Sequence, residues 1–207
     1  KAVPDHGPIR TVLAGSPFQA RASIRFRASG LCLGALNACC AAAPPVEGGG
    51  GEPLSLILAG RVADRFTIDH EGNDEFVLHV EVDKAYPAVE PPARCVPVRP
   101  PYHAGVENDP DLLVWAASLA ASLYPAWHCP ASFQTPGKFA DMCRAGRFAC
   151  VMALDGASHP AGLLCWSRSG GKGLAFSGPF VFSPPEDREQ VARLLVDTFL
   201  AAVAREN

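Results

Sequence analysis

Residues 86–101, YPAVEPPARCVPVRPP, place six prolines in sixteen positions. A proline has no backbone N–H and a fixed φ, so this density supports neither a helix nor the interior of a sheet. The segment therefore cuts the chain in two, and each part has to bury its own apolar residues. It sets expected domains at 1–90 and 91–207. With 207 residues, 48% hydrophobic and 19% charged, there is material for two cores and no signature of bulk disorder.

Upstream of the prolines, FQARASIRFR (18–27) alternates strictly. Phe18, Ala20, Ala22, Ile24 and Phe26 fall on one face, and Gln19, Arg21, Ser23, Arg25 and Arg27 on the other, the pattern of a half-buried strand. Ser29 is placed to cap a helix that Pro44 and Pro45 end near Ala43. VEGGGGEP (46–53) reads as a plain linker, because no Lys-Ser/Thr follows its glycines to make a phosphate cradle. The spacing of Leu54, Ile57, Leu58, Val62 and Phe66 predicts a helix over 54–67. DHEGND (69–74) reads as a turn, and FVLHVEVD (76–83) as a strand with Phe76, Leu78, Val80 and Val82 inward. The first part is thus expected to be a small α+β unit.

Downstream, Asp109-Pro110 opens a predicted helix through Leu123, with Leu112, Leu113, Trp115, Leu119 and Leu123 as its apolar set. A shorter helix is expected from Phe133 to Ala145, ended by Gly146. Strands follow in CVMALDG (150–156), PAGLLCWSRSGGKG (160–173) and LAFSGPFVFSPP (174–185), with Ser167, Ser169, Lys172 and their glycines making a hairpin turn. A long helix over 186–207 buries Leu194, Leu195, Thr198, Phe199 and Val203. The predicted class is α+β, with a mixed, mostly antiparallel sheet flanked by helices.

Charge and cysteine usage narrow the partners. Net charge is −3 and the pI is about 6.1, without the basic stripe that a nucleic-acid binder needs. Arg21, Arg25 and Arg27 alternate with apolar residues and read as a solvated strand face. No apolar run reaches the ~20 residues of a membrane span, and KAVPDHGPIR at the start lacks the apolar core of a signal peptide. Eight cysteines without a CxxC pair or zinc-ligand spacing read as buried free thiols of a reducing, cytoplasmic compartment, with no metal. His70 with Asp69 and Glu71 lacks a further ligand group at helical spacing.

The order of elements from Val98 onward resembles the GNAT superfamily of acyl-CoA-dependent acyltransferases. The residues behind the resemblance are VRPPYHAGVENDPDLLVWAASLAASLYP (98–125), FADMCRAGRFACVMALDGASHPAGLLCWS (139–167) and GPFVFSPPEDREQVARLLVDTFLAAVARE (178–206). The resemblance implies that a strand end pairs with the pantetheine arm of an acyl-CoA, and that the following loop and helix start hold its pyrophosphate. Carried over, Phe180, Val181 and Phe182 face pantetheine, and Ser183 and Arg188 lie near the pyrophosphate. The implied function is transfer of an acyl group to the amine of a small-molecule or protein substrate. In this chain Pro184 and Pro185 remove two amide donors there, and Glu186 and Asp187 add negative charge. Those four residues fit an ordinary capped helix start better than a pyrophosphate cradle, which favours the alternative of a non-catalytic relative acting in regulation or protein association.

The first part resembles, more distantly, the start of the GHKL ATP-binding fold, through RFRAS, the Gly-rich loop and LSLILAGRVADRFTIDHEGNDEFVLHVEV (54–82). Gly60 and Asp64 stand where that family carries its catalytic Glu and Asn, which implies a degenerate ATPase-like regulatory protein as a further alternative. Two isolated candidates complete the reading. Trp127, His128 and Cys129 sit in a loop able to join a ligand site, and Tyr124 is placed where an acyltransferase can put a general acid.

Overall fold

In the computed structural model, residues 8–28, 63–88, 97–169 and 173–205 are described. The chain is α+β and divides into two units, Lys1–Lys84 and Ala85–Asn207.

The first unit contains a four-stranded antiparallel sheet, β1 (Arg10–Gly15), β2 (Gln19–Arg27), β3 (Arg65–Gly72) and β4 (Glu75–Asp83), in the order β1-β2-β4-β3. The expected helix over 29–43, the loop over 46–53 and residues 54–62 lie outside the described residues. From Arg65 onward the expected second helix is instead a strand. Phe66 and Ile68 alternate in burial with Arg65, Thr67 and Asp69, and this two-residue period wins over the helical spacing that Phe66 also fits.

The turn is also tighter than expected. Asp69–Gly72 belong to β3, and only Asn73 and Asp74 make the loop, at φ 52° and 57°. Two central residues with positive φ are the hairpin geometry that matches strand twist, and Asn and Asp tolerate it well. β4 differs in its faces too. Val82 is 39% exposed, whereas Glu81 is 5% exposed and pairs with both Arg21 and Arg65. On the same polar face Ser23 Oγ lies 2.9 Å from His79 Nδ1, and His79 Nε2 lies 3.3 Å from Asp69. Arg25 pairs with Glu71 and Glu75. Arg21 and Arg25 of β2 are therefore held in cross-strand ion pairs, as suits a solvated face.

The second unit carries a sheet of β5 (His103–Val106), β6 (Ala149–Leu154), β7 (Pro160–Ser169) and β8 (Gly173–Val181), all antiparallel and in sequence order. Three helices accompany it: α1 (Pro110–Leu123), α2 (Pro136–Arg144) and α3 (Arg188–Arg205).

Asp109 caps α1 by accepting the N–H groups of Asp111 and Leu112 at 2.9 and 3.1 Å. The face α1 buries is richer in small residues than its large side chains suggest. Ala116, Ala117 and Ala120 are fully buried, while Leu123 is 49% exposed. The single helix expected over 133–145 is a 3₁₀ turn, Ala131–Gln134, followed by α2. Pro136 explains the break, since it disfavours helical φ/ψ at Thr135 and fits the first helical position itself. Gly146, at φ 69°, ends the chain of helical turns.

Two buried clusters follow from this arrangement. One joins α1 and α2 to the sheet through Leu113, Phe133, Phe139, Met152, Leu163 and Phe180. The other joins α3 to the sheet through Val191, Leu195, Phe199, Val151, Leu164 and Trp166. The sheet of this unit is thus covered on both faces. Among the described residues no helix is long and apolar enough to cross a membrane.

Candidate functional site

The end of β8 and the start of α3 frame a cleft of about 470 Å³, walled by Pro97, Val98, Leu123, Tyr124 and the run from Val181 to Pro185, with Arg188 at its mouth. Among the residues expected here, Val181, Phe182, Ser183 and Arg188 line the cleft. The Phe180 side chain does not. It is 3% exposed and packs edge-on against Tyr124 and against Phe133, at ring distances of 5.2 and 5.4 Å.

Strand β8 arrives with a change of register. Its pairing with β7 shifts between Leu163 and Cys165, opposite Gly178-Pro179, where Gly178 has φ 106°. An added Cβ there would meet Leu163 O at 2.9 Å, so only glycine fits. Beyond the shift, the Phe182 N–H returns to β7 and donates to Ala161 O at 2.8 Å.

The backbone of Val181 turns the other way. Its N–H donates to Tyr124 Oη at 2.8 Å, and its C=O accepts from the same hydroxyl at 3.1 Å. One phenol therefore satisfies both polar groups on the strand edge that the family resemblance assigns to a pantetheine arm. Tyr124 is also the C-cap of α1, where its own N–H donates to Ala120 O at 2.9 Å. Tyr124, placed in the sequence where an acyltransferase can put a general acid, has its hydroxyl hydrogen-bonded to the Val181 backbone.

Ser183 is the second notable group. It is 3% exposed, and its Oγ has no hydrogen-bond partner among the described residues. A serine before a helix usually caps it, but here Pro184 holds the cap position of the first turn, Pro185–Asp187, and Ser183 is one residue too early. A buried hydroxyl without a partner costs on the order of 1–3 kcal/mol. The residue lines the cleft, and a small shift of the wall would open its hydroxyl to an entering ligand.

The negative charge of the helix start is directed elsewhere. Asp187 accepts the Tyr102 hydroxyl at 2.7 Å, and Glu186 lines a separate depression with Tyr102, Glu189 and Arg193. Burial, and then the bond to Asp187, push the Tyr102 phenol up to about 12. Arg188 is exposed and has no ion pair among the described residues, so the charge at the cleft is positive. Pro184 and Pro185 do remain as walls without donors. The donor set thus fits an anionic group held by a guanidinium and a hydroxyl, and it does not fit one cradled by successive backbone amides.

Comparison with protein-family models, curated proteins and solved structures returns no match.

The other expected site residues do not converge on the cleft. Trp127 is 79% exposed and lies against His128, at a ring distance of 3.6 Å. Cys129 is buried and donates to Ala120 O at 3.6 Å. In the first unit, His70 stacks on Phe76 at 4.7 Å, Asp69 pairs with His79 and Glu71 with Arg25, so these neighbours in sequence serve three separate contacts. Among the described residues no group of three or more His, Cys, Asp or Glu is placed to hold a metal. Asp64 enters β3 from a bend, with its carboxylate accepting the Asp83 N–H at 2.6 Å; Gly60 lies outside the described residues.

Proposed function

We propose that the second unit binds an acyl-CoA-type thioester in the cleft at the end of β8 and serves transfer of its acyl group to an amine. The observation that carries this reading is Ser183, a buried hydroxyl without a partner on the wall of an otherwise apolar cleft whose one cation, Arg188, is unpaired among the described residues. An elongated ligand with an apolar arm and an anionic end matches that lining. The order of strands and helices, from the helix after β5 to the long helix after β8, supports the same reading.

The bound thioester supplies an activated acyl carbon. The chain's own groups do the holding. Val98, Leu123 and Phe182 exclude water from the arm, Ser183 Oγ donates to it once the wall shifts to uncover it, and Arg188 neutralises the anionic end. The deciding measurement is calorimetric titration of the full chain with acetyl-CoA and CoA. Binding is expected for the wild type, weakened by roughly tenfold or more in Arg188→Gln, as loss of a charge-assisted bond implies. Absence of heat at millimolar acetyl-CoA overturns the proposal.

One observation favours a second reading, a relative of the same fold that acts without the cofactor. Tyr124 already occupies the N–H and C=O of Val181. Tyr124→Phe separates the two. If the phenol merely closes an empty site, its removal strengthens acetyl-CoA binding. If it replaces the cofactor for good, the variant loses thermal stability and gains no ligand.

A further inference from the structure

We propose that Cys143 and Cys150 form an oxidisable dithiol, converted by hydrogen peroxide to an intramolecular disulfide. The inference is independent of the thioester reading. Cys143 lies near the end of α2 and Cys150 near the start of β6. Their sulfurs are 3.5 Å apart, with one thiol donating to the other. The reversal that brings them together is built in, since Gly146 adopts φ 69° and the Arg147 N–H donates to Met142 O at 2.9 Å. A disulfide needs the sulfurs at about 2.05 Å, an approach of roughly 1.5 Å between two side chains already in contact.

The two thiols are not equivalent. Cys143 retains 6% exposure and Cys150 none. The hydrogen bond with Cys143, together with burial, pushes the Cys150 thiol well above its ordinary range, so it stays protonated. Cys143 is therefore the attacking sulfur and Cys150 the resolving one. Cys143 sulfur attacks one peroxide oxygen, the O–O bond breaks, and the departing hydroxide takes the thiol proton as water, leaving a sulfenic acid. Cys150 sulfur then attacks Cys143 sulfur. The S–O bond breaks, the S–S bond forms, and a second water leaves with the Cys150 proton. The two thiols lose two electrons in total, and the peroxide gains them.

The oxidant class follows from burial, because a small neutral peroxide reaches a site that a bulky disulfide does not. The consequence is local. The new bond closes the loop 144–149, and Arg147, Phe148 and Ala149 of that loop, with Met142, form one wall of a cleft of about 550 Å³.

The rival partner is Cys165, directly opposite Cys150 in the β6–β7 register. The experiment exposes the folded full chain to hydrogen peroxide, alkylates the remaining thiols after denaturation, and maps tryptic peptides by tandem mass spectrometry. The expected result is loss of both alkylation adducts and a cross-link between peptides 139–144 and 148–168 at Cys143 and Cys150. Cys150→Ser is expected to abolish the cross-link and leave Cys143 as a sulfenic acid that dimedone traps. A bond of Cys165 to either residue as the main product overturns the assignment. So does full alkylation of Cys143 and Cys150 in the wild type after prolonged peroxide exposure, which needs no variant to fold.

Discussion

Gly162, near the start of β7, lies directly beneath Leu195 and Val191 of α3, and replacing it by alanine tests the packing of the second unit directly. A Cβ on Gly162 would meet Leu195 Cδ1 at 2.8 Å, Phe180 O at 2.9 Å and Val191 Cγ1 at 3.0 Å. The Leu195 methyl is the end of a flexible side chain and can yield. The Phe180 carbonyl is backbone of the paired strand β8, so it moves only if the strand moves. Overpacking of this kind costs about 1–3 kcal/mol, and two contacts on a fully buried helix face place Gly162→Ala toward the upper end. Alanine returns roughly 0.5–1 kcal/mol by restricting the unfolded chain. The net is a destabilisation of about 2 kcal/mol.

For a unit of this size, that is a fall in Tm of about 8 °C, at roughly 4 °C per kcal/mol. Tryptophan fluorescence reads it cleanly, because Trp115, Trp127 and Trp166 all belong to the second unit. Gly105→Ala is the control. Its Cβ would meet nothing within 4 Å, and its Tm is expected to stay within about 2 °C of the wild type. An unchanged or raised Tm for Gly162→Ala would refute the close approach of α3 to β7.

Two further outcomes concern pH. Asp155 is buried, which opposes ionisation, yet the N–H groups of His159 and Ala157, each donating at 2.9 Å, hold its carboxyl below the usual range. Its contribution to stability is present above the unfolded value of about 3.9 and is lost as pH falls through the lower folded value. Asp155→Asn is expected to flatten the acid limb of a Tm-against-pH curve below about pH 4, and an unaltered limb counts against the bonds. Tyr102 has the opposite sign: its stabilisation is complete below about pH 10 and is lost as pH rises toward the folded value of about 12. Asp187→Asn is expected to lower that midpoint in a phenolate absorbance titration, read as a difference against Tyr102→Phe; an unmoved midpoint contradicts the Asp187 contact.

Local backbone preferences were legible in the sequence where one residue decides them. Asp109-Pro110 starts α1, Gly146 ends α2, and the alternation from Phe18 to Phe26 is β2. Misreadings arose where a residue fits two periods or where partners are distant in sequence. Phe66 completes a helical spacing with Val62 and a strand alternation with Ile68, and cross-strand pairing with Val80 decides between them. Val82 looks like a core residue and Glu81 a surface one, until Arg21, sixty residues away, neutralises Glu81. On α1 the eye goes to leucines, but close packing selects alanines.

The cleft was partly legible, because the strand-to-helix junction is contiguous in sequence. The direction of its charges was not. That Asp187 turns to Tyr102, 85 residues earlier, follows only from the fold. The same holds for Tyr124, whose engagement with Val181 spans 57 residues.

That engagement has a consequence for assembly. β8 is an edge of its sheet among the described residues, and an edge strand offers its polar groups to any extended segment that comes alongside. At Val181 the offer is withdrawn, because a side chain from the end of a helix takes both the donor and the acceptor. A fifth strand could pair with β8 as far as Val181 only by first evicting the phenol. At the end of β8, among the described residues, the sheet's edge is thus closed by a helix-capping tyrosine.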